Sequence, residues 1–316
     1  MATFLFPGQG SQKPGMGMEL LQGYPAMRSW YERAQACTGI DWISVINGNP
    51  SLLDQTRYTQ PALFLTQWVA YQWLTDREGS TPHMVSGHSL GEWTAMAVAG
   101  VFSFEEGMQL VSLRAQAMEQ ACQASDGTMA AVIGLSPQEV FQACRLTGEA
   151  VIANFNAPQQ QVISGPRQDV LRACTQLEKQ GARKVVPLRV SGAFHSPLME
   201  PAQKTLEQGL QPIRFQVPRF PVVQNVNGQK ESDPDSLKRN LLQQLVAPVL
   251  WTDCMQTIAS TGESHVVECG HGSVLAQLAR KCAPHWNVSR IDALLDKHIP
   301  NNGRTGGEEH GTQRTL

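Results

Sequence analysis

The sequence predicts an α/β protein, a parallel-sheet core interrupted by a smaller βαββαβ unit, and three observations carry that prediction. The first is Met84-Val-Ser-Gly-His-Ser-Leu-Gly-Glu-Trp-Thr-Ala-Met-Ala-Val-Ala-Gly100, an apolar run, a Gly-x-Ser-x-Gly and an Ala-rich segment of helical character. The second is a set of short apolar runs ending in glycine-rich turns, as at Ala2 to Phe6 before Pro7-Gly-Gln-Gly10, each followed by apolar residues at three- and four-residue spacing. The third begins at Gly127: a strand over 129–133, a helix over 136–146, strands over 150–155 and 161–164, a helix over 168–180 and a strand over 184–188. That order is the split βαβ, or ferredoxin-like, unit.

In chain order, helices are expected over 15–38 and 61–74, with 54–60 a polar connection. The run at 84–86 feeds the Gly-x-Ser-x-Gly turn and 90–98 leaves it as a helix. Ser103-Phe-Glu-Glu106 reads as a capping box opening a helix that runs to about Cys122 and carries Arg114. After the small unit comes the loop Ser191-Gly-Ala-Phe-His-Ser-Pro-Leu-Met199, then a helix over 201–209 and a strand over 220–224. Helices over 236–245 and from Pro248-Val-Leu-Trp251 through 260, a strand over 265–268 and a helix over 273–281 complete the core. The implied organisation is a discontinuous core, 1–126 with 190–292, around a small unit at 127–189. The polar, glycine-rich end, 293–316, is expected to be a disordered tail.

Composition narrows the function classes. With 316 residues, 41% hydrophobic, 16% charged and a formal net charge of −2, the chain carries no global field for nucleic acid or a membrane surface. The N-terminus lacks a basic segment, its apolar run breaks at Pro7, and no stretch reaches the length of a membrane span, so a cytoplasmic protein is expected. Seven scattered cysteines without a C-x-x-C pair argue against a disulfide framework. Cys269, His271 and His265 lie close in sequence, but Gly270 and Gly272 mark a turn and a fourth ligand is lacking, so no metal is expected.

A serine between two glycines at a strand-to-helix turn is the nucleophile-elbow pattern, because the turn leaves no room for side chains at the flanking positions. Ser89 would stand at the N-terminus of the following helix, where free N–H groups favour developing negative charge. A serine hydroxyl needs an adjacent base, and an imidazole suits both the base and the later acid role.

Taken together, Phe6-Pro-Gly-Gln-Gly-Ser-Gln12, Thr59-Gln-Pro61, Gly87-His-Ser-Leu-Gly-Glu92, the Arg114 helix with Met118, Asn154-Phe-Asn156, Phe194-His195 and Glu268-Cys-Gly270 resemble malonyl-CoA:acyl carrier protein transacylases, including the free-standing acyltransferases of polyketide synthases. The resemblance covers roughly residues 2 to 291 and implies an α/β-hydrolase-like core with a ferredoxin-like insert. It implies Ser89 as nucleophile, His195 as base, and the backbone N–H groups of Gln9 and Leu90 as the oxyanion hole. It implies Arg114 as a bidentate clamp for the malonyl carboxylate, where helix position alone would make it a solvated residue. His88, Met118 and Phe194 would line the pocket. No carboxylate stands out to complete a triad. The resemblance instead implies a Ser–His dyad oriented by a backbone carbonyl near Pro248-Val-Leu-Trp251, at Leu250, where the family carries Gln. Gly192-Ala-Phe-His195 is similar to the His-Ala-Phe-His of malonyl-selecting polyketide acyltransferases, with Gly192 a departure.

The implied reaction is ping-pong transfer from malonyl-CoA through a seryl ester to the phosphopantetheine thiol of an acyl carrier protein, with no bound cofactor and a monomeric enzyme. An acyl hydrolase acting on carrier proteins and a non-catalytic carrier-docking module are the rival readings. Arg114 counts against the first, and the intact Ser89 and His195 against the second.

Overall fold

The computed structural model describes residues 2–298. Among these residues ten strands fall into two sheets: β1 (Ala2–Phe6), β2 (Pro82–Gly87), β3 (Gly127–Ile133), β4 (Val151–Ala157), β5 (Gln160–Pro166), β6 (Lys184–Pro187), β7 (Val222–Val223), β8 (Lys230–Glu231), β9 (His265–Glu268) and β10 (Asn287–Arg290). The larger sheet has the order β10-β9-β1-β2-β7-β8 and is parallel except for the β7–β8 edge. The smaller, β4-β5-β3-β6, is antiparallel throughout and has the strand order of the ferredoxin-like unit.

Strand periodicity decides which side chains meet which helices. Phe4 and Phe6 of β1 enter one core with the Thr56–Glu78, Leu90–Val98 and Phe104–Gln123 helices, while Leu5 enters the other with Trp251, Ile258 and Leu278. Every residue of β1 is therefore buried, and the strand reads as an apolar run interrupted only by Thr3 rather than as an alternating one. In the small sheet, Ala130, Val132, Ile152 and Ile163 pack under the Pro137–Thr147 and Arg167–Lys179 helices. The opposite face, with Met129, Ala131, Ala153 and Val162, joins the large core. A short parallel bridge fastens the two units: Phe155 N–H donates to Val249 O (2.9 Å) and Val249 N–H to Ala153 O (2.8 Å).

Both capping signals have local causes. The Ser103 and Ser136 hydroxyls accept from the backbone N–H of Glu106 and Glu139, whose carboxylates reach back to the cap backbone. Elsewhere the elements depart from expectation. The helix over 61–74 begins at Thr56, so Pro61 lies inside it, past the first turn, where it removes one intrahelical hydrogen bond that the rest of the buried helix outweighs. The helix over 15–38 breaks at Pro25 into Met18–Gly23 and Arg28–Thr38. Asp41 and Asn49 cap two short helices, Trp42–Asn47 and Pro50–Leu53, in a stretch with no expected structure. The expected tail is corrected at 293–298. The chain forms a helix over Ile291–His298 that buries Leu295, and His298 packs edge-on to Trp73 while bonding Glu78. Residues 299–316 lie outside the described residues.

Candidate active site

The tight turn after β2 follows from what its glycines touch. A Cβ at Gly91 would strike the Phe6 carbonyl oxygen, and one at Gly87 would strike the Gly91 carbonyl group, so only hydrogen fits at either position. The turn thereby stacks on the end of β1, and the Pro7-to-Gly10 loop follows it, with the position of a Gly8 Cβ only 2.6 Å from His88 O. Ser89 takes φ 52° and ψ −106°, and the helix Leu90–Val98 starts at the next residue, leaving the Leu90 N–H without an intrahelical acceptor.

Asn225, from the turn after β7, braces this elbow on both sides. Its Oδ1 accepts from Ser89 N–H (2.8 Å) and its Nδ2 donates to Gly87 O (2.7 Å). His195, also at positive φ, brings Nε2 to 2.8 Å from Ser89 Oγ. Its Nδ1 lies 2.8 Å from the backbone oxygen of Gln244. A carbonyl only accepts, so Nδ1 carries the ring proton and Nε2 presents its lone pair to the serine hydroxyl. This corrects the expectation that Leu250 orients the histidine. The carbonyl belongs to Gln244, just past the Pro234–Gln243 helix, where the last helical carbonyls have no partner of their own. Leu250 instead caps the next helix and donates its N–H to Asn225 O.

Arg114 is fully buried on the Phe104–Gln123 helix. One Nη donates to Gln60 Oε1; the other reaches Ser89 Oγ and Gln244 Oε1, each at 3.3 Å. Its Nε is buried without a partner. Met118 Sδ, one turn on, accepts from Gln60 Nε2 at 3.4 Å. Phe194 is buried in the same core as Met118. His88 turns away from the nucleophile, its Nε2 2.9 Å from Asn156 Oδ1 and its ring against Trp251. Gly192, the departure from the family pattern, has a packing cause: a side chain there would strike Cys122 Sγ.

The ionisation of these groups follows from burial. Burial and the nearby Arg114 charge hold His195 down to about 3, against the pull of the Gln244 carbonyl. The imidazole is therefore a neutral base at physiological pH. Burial lowers Arg114 to about 9, countered by the charge of Glu92, so the guanidinium stays protonated. Glu92 itself is raised to about 7 by burial, against three N–H donors.

Gln60, Glu92, Asn225 and Gln244 went unassigned from sequence. Gln60 stood in Thr59-Gln-Pro61 and Glu92 in the elbow motif without a role, and Asn225 in a turn; Gln244 carries no spacing signal. Cys269, His265 and His271 do not converge. His271 instead sits between Glu19 (3.2 Å) and Asp292 (2.9 Å), the one metal-compatible cluster among the described residues, with Lys13 4.0 Å from Asp292.

A serine on a strained elbow, a neutral imidazole at hydrogen-bond distance and the free Leu90 N–H at a helix start define a serine-nucleophile acyl-transfer centre. Comparison with known proteins gives the family. The acyl transferase domain model matches residues 3–305. The chain is 37% identical over 294 residues to the malonyl CoA-acyl carrier protein transacylase of Escherichia coli, covering 92% of this chain and 95% of that one. The crystal structure of the malonyl-CoA:acyl carrier protein transacylase of Xanthomonas oryzae matches with TM-score 0.90 and 37% identity, over 94% of this chain and 98% of that one. A malonyl-transacylase solved in complex with its type II polyketide acyl-carrier protein also has TM-score 0.90, at 33% identity over 95% and 99% of the two chains. The chain belongs to the acyl transferase domain family.

Proposed function

We propose that the protein transfers a malonyl group from malonyl-CoA to the phosphopantetheine thiol of an acyl carrier protein, serving fatty acid or polyketide biosynthesis. The observation that carries this reading is the buried Arg114 guanidinium 3.3 Å from the Ser89 hydroxyl. A cation at that depth favours an acyl group that ends in a carboxylate, and it stands where that acyl group would be esterified.

Ser89 Oγ attacks the thioester carbonyl while its proton passes to His195 Nε2. The backbone N–H groups of Gln9 and Leu90 receive the oxyanion, and Gln244 O stabilises the imidazolium through Nδ1. Collapse expels CoA, whose sulfur takes the proton from His195. The carrier thiol then repeats the sequence in reverse roles, attacking the seryl ester as His195 accepts its proton and returns it to Ser89. Met118 and Phe194 shape the acyl pocket, while His88, turned away from Ser89, holds the elbow through Asn156. We place the site between a core formed by 1–126 with 190–292 and a small unit at 127–189, and the carrier protein in the cleft between them. The phosphopantetheine arrives on that partner, so the cycle needs no resident cofactor or metal.

The test is intact-protein mass measurement after incubation with malonyl-CoA or acetyl-CoA, with carrier protein added second. A malonyl adduct that forms on Ser89, exceeds the acetyl adduct and is discharged by carrier protein is expected. Equal labelling by both thioesters would overturn the malonyl reading.

A further inference from the structure

Glu92 lies one helical turn beyond the nucleophile, is fully buried, and plays no part in the steps above. Its carboxylate accepts from Gln224 Nε2 (3.0 Å), from Asn225 N–H (3.0 Å) and from Gln244 Nε2 (2.7 Å). The other end of the Gln244 amide, Oε1, accepts from Arg114 Nη2 at 3.3 Å. A single amide group thus stands between the buried cation and the buried anion, its oxygen toward the guanidinium and its N–H toward the carboxylate. An amide flipped end for end would set NH₂ against guanidinium and oxygen against carboxylate, so the two charges fix its orientation.

The geometry points to Glu92 as a positioning residue for substrate choice: through the Gln244 amide it holds Arg114 in the pose that receives an acidic acyl group, without occupying the carboxylate site. This rests on the malonyl reading of Arg114. A carboxylate in direct contact would satisfy the guanidinium and compete with substrate. Held one amide away, Glu92 offsets part of the cost of burying the cation and leaves Nη2 facing Ser89 Oγ. The Gln244 main chain is fixed separately, its N–H bonded to Asn240 O (2.9 Å) at the helix end. Side-chain substitution at Gln244 keeps the backbone carbonyl that orients His195.

The experiment measures kcat/KM for Ser89 acylation by malonyl-CoA and by acetyl-CoA at pH 8, above the value of about 7 to which burial raises Glu92, in the native protein, Glu92→Gln, Gln244→Met and the double variant. Glu92→Gln removes the counter-charge at nearly constant volume. Gln244 Nε2 also donates to Ser89 O (3.0 Å), so loss passed to the elbow, through Asn225 or through that bond, lowers both substrates alike, whereas loss passed through Gln244 Oε1 to Arg114 lowers malonyl selectively, and the ratio isolates the relay. The malonyl-to-acetyl ratio is expected to fall about tenfold to a hundredfold in Glu92→Gln, the size of a lost hydrogen bond to a charged group. Gln244→Met, which keeps the backbone carbonyl, should show a comparable fall, and the double variant should fall no further than the worse single. A folded Glu92→Gln with the native ratio overturns the proposal, as do additive losses in the double variant. If Glu92→Gln does not fold, an unchanged ratio in Gln244→Met overturns it. A native protein without malonyl preference would instead defeat the malonyl reading.

Discussion

Ser89 and His195, whose side chains meet at 2.8 Å, are the only non-glycine residues at positive φ among the described residues, at 52° and 56°. Side chains held in this region cost of order 1–3 kcal/mol each and persist where the surroundings over-determine them. Asn225 does so at Ser89, with one hydrogen bond to the residue itself and one to Gly87. Ser89→Ala should abolish the malonyl adduct and leave the melting temperature near native, since it keeps the strained Cβ. Ser89→Gly should abolish the adduct and raise stability by about 1 kcal/mol, because glycine takes this backbone without strain. A Gly variant no more stable than the Ala variant in paired denaturation curves would show that the elbow is unstrained.

Asn225→Ala should lower kcat while leaving the fold intact. It removes both hydrogen bonds that brace the turn and strands the Gly87 carbonyl, a loss of about 1–3 kcal/mol. Malonyl-CoA and acetyl-CoA should suffer nearly alike, because these two bonds act on the elbow and the third, from Gln244 Nε2 to Asn225 Oδ1, is long at 3.3 Å beside the 2.7 Å bond that Gln244 makes to Glu92. A change in their ratio in single-turnover acylation would tie Asn225 to selectivity instead.

These contacts also show what the sequence makes legible. The elbow could be read because Gly87-x-Ser89-x-Gly91 is a five-residue pattern, although the contact that demands Gly91 is with Phe6 of β1, and His195 because it sits in a local motif. The residue orienting the histidine could not be read, since a backbone carbonyl at a helix end has no side-chain signature; hence Leu250 rather than Gln244. A buried amide such as Gln244 resembles a surface residue until folding places it, while β8 has two residues and β10 four, too short for a periodic pattern.

The Gly192 contact gives a packing test. Gly192→Ala sets a methyl against Cys122 Sγ and Cβ, and overpacking of this kind typically costs about 1–3 kcal/mol. Because Phe194 and His195 follow in the same loop, acylation should slow as well. Cys122→Ala should recover part of both losses by removing the sulfur. Additive effects of the two substitutions on the unfolding midpoint would exclude the contact as the cause.

The acid side of the pH profile should differ between kcat/KM and kcat. Burial and the Arg114 charge hold His195 to about 3, against an ordinary value of 6.5. For the free enzyme, kcat/KM should therefore be flat from about pH 8 down to about pH 5 as far as this base is concerned. A malonyl carboxylate on Arg114 cancels the charge that repels imidazolium, so the acid limb of kcat for malonyl-CoA should lie at higher pH. Acetyl-CoA should show no such displacement. The same depression bears on stability: as pH falls below 6.5, unfolded chains take up a proton that the folded protein refuses until about 3, so His195 lowers stability across that window. A limb near pH 6.5 in kcat/KM would mean that the free-enzyme imidazole is not held neutral.

Arg114 separates malonyl transfer from acyl transfer in general. Its guanidinium is wholly buried, with two amide oxygens and the nucleophile's hydroxyl as its hydrogen-bond partners and Glu92 as the opposing charge beyond Gln244. A malonyl carboxylate adds the direct ionic partner that an acetyl group lacks, and a planar fork holds it through two parallel bonds. Truncating one member of such a buried pair typically costs about 2–5 kcal/mol, which at about 1.4 kcal/mol per decade is roughly thirtyfold to several thousandfold. Arg114→Ala should lose about that much kcat/KM for malonyl-CoA, while acetyl-CoA activity holds level or rises because no unpaired charge then faces the acyl pocket. Arg114→Lys should recover only part of the malonyl loss, since an ammonium cannot satisfy Gln60, Gln244 and a bidentate carboxylate from one point. The measurement is kcat/KM for both thioesters in all three proteins, with melting curves to confirm folding. Equal losses for both substrates would make Arg114 a support of the Ser89 elbow and remove the main physical ground for malonyl as the acyl group.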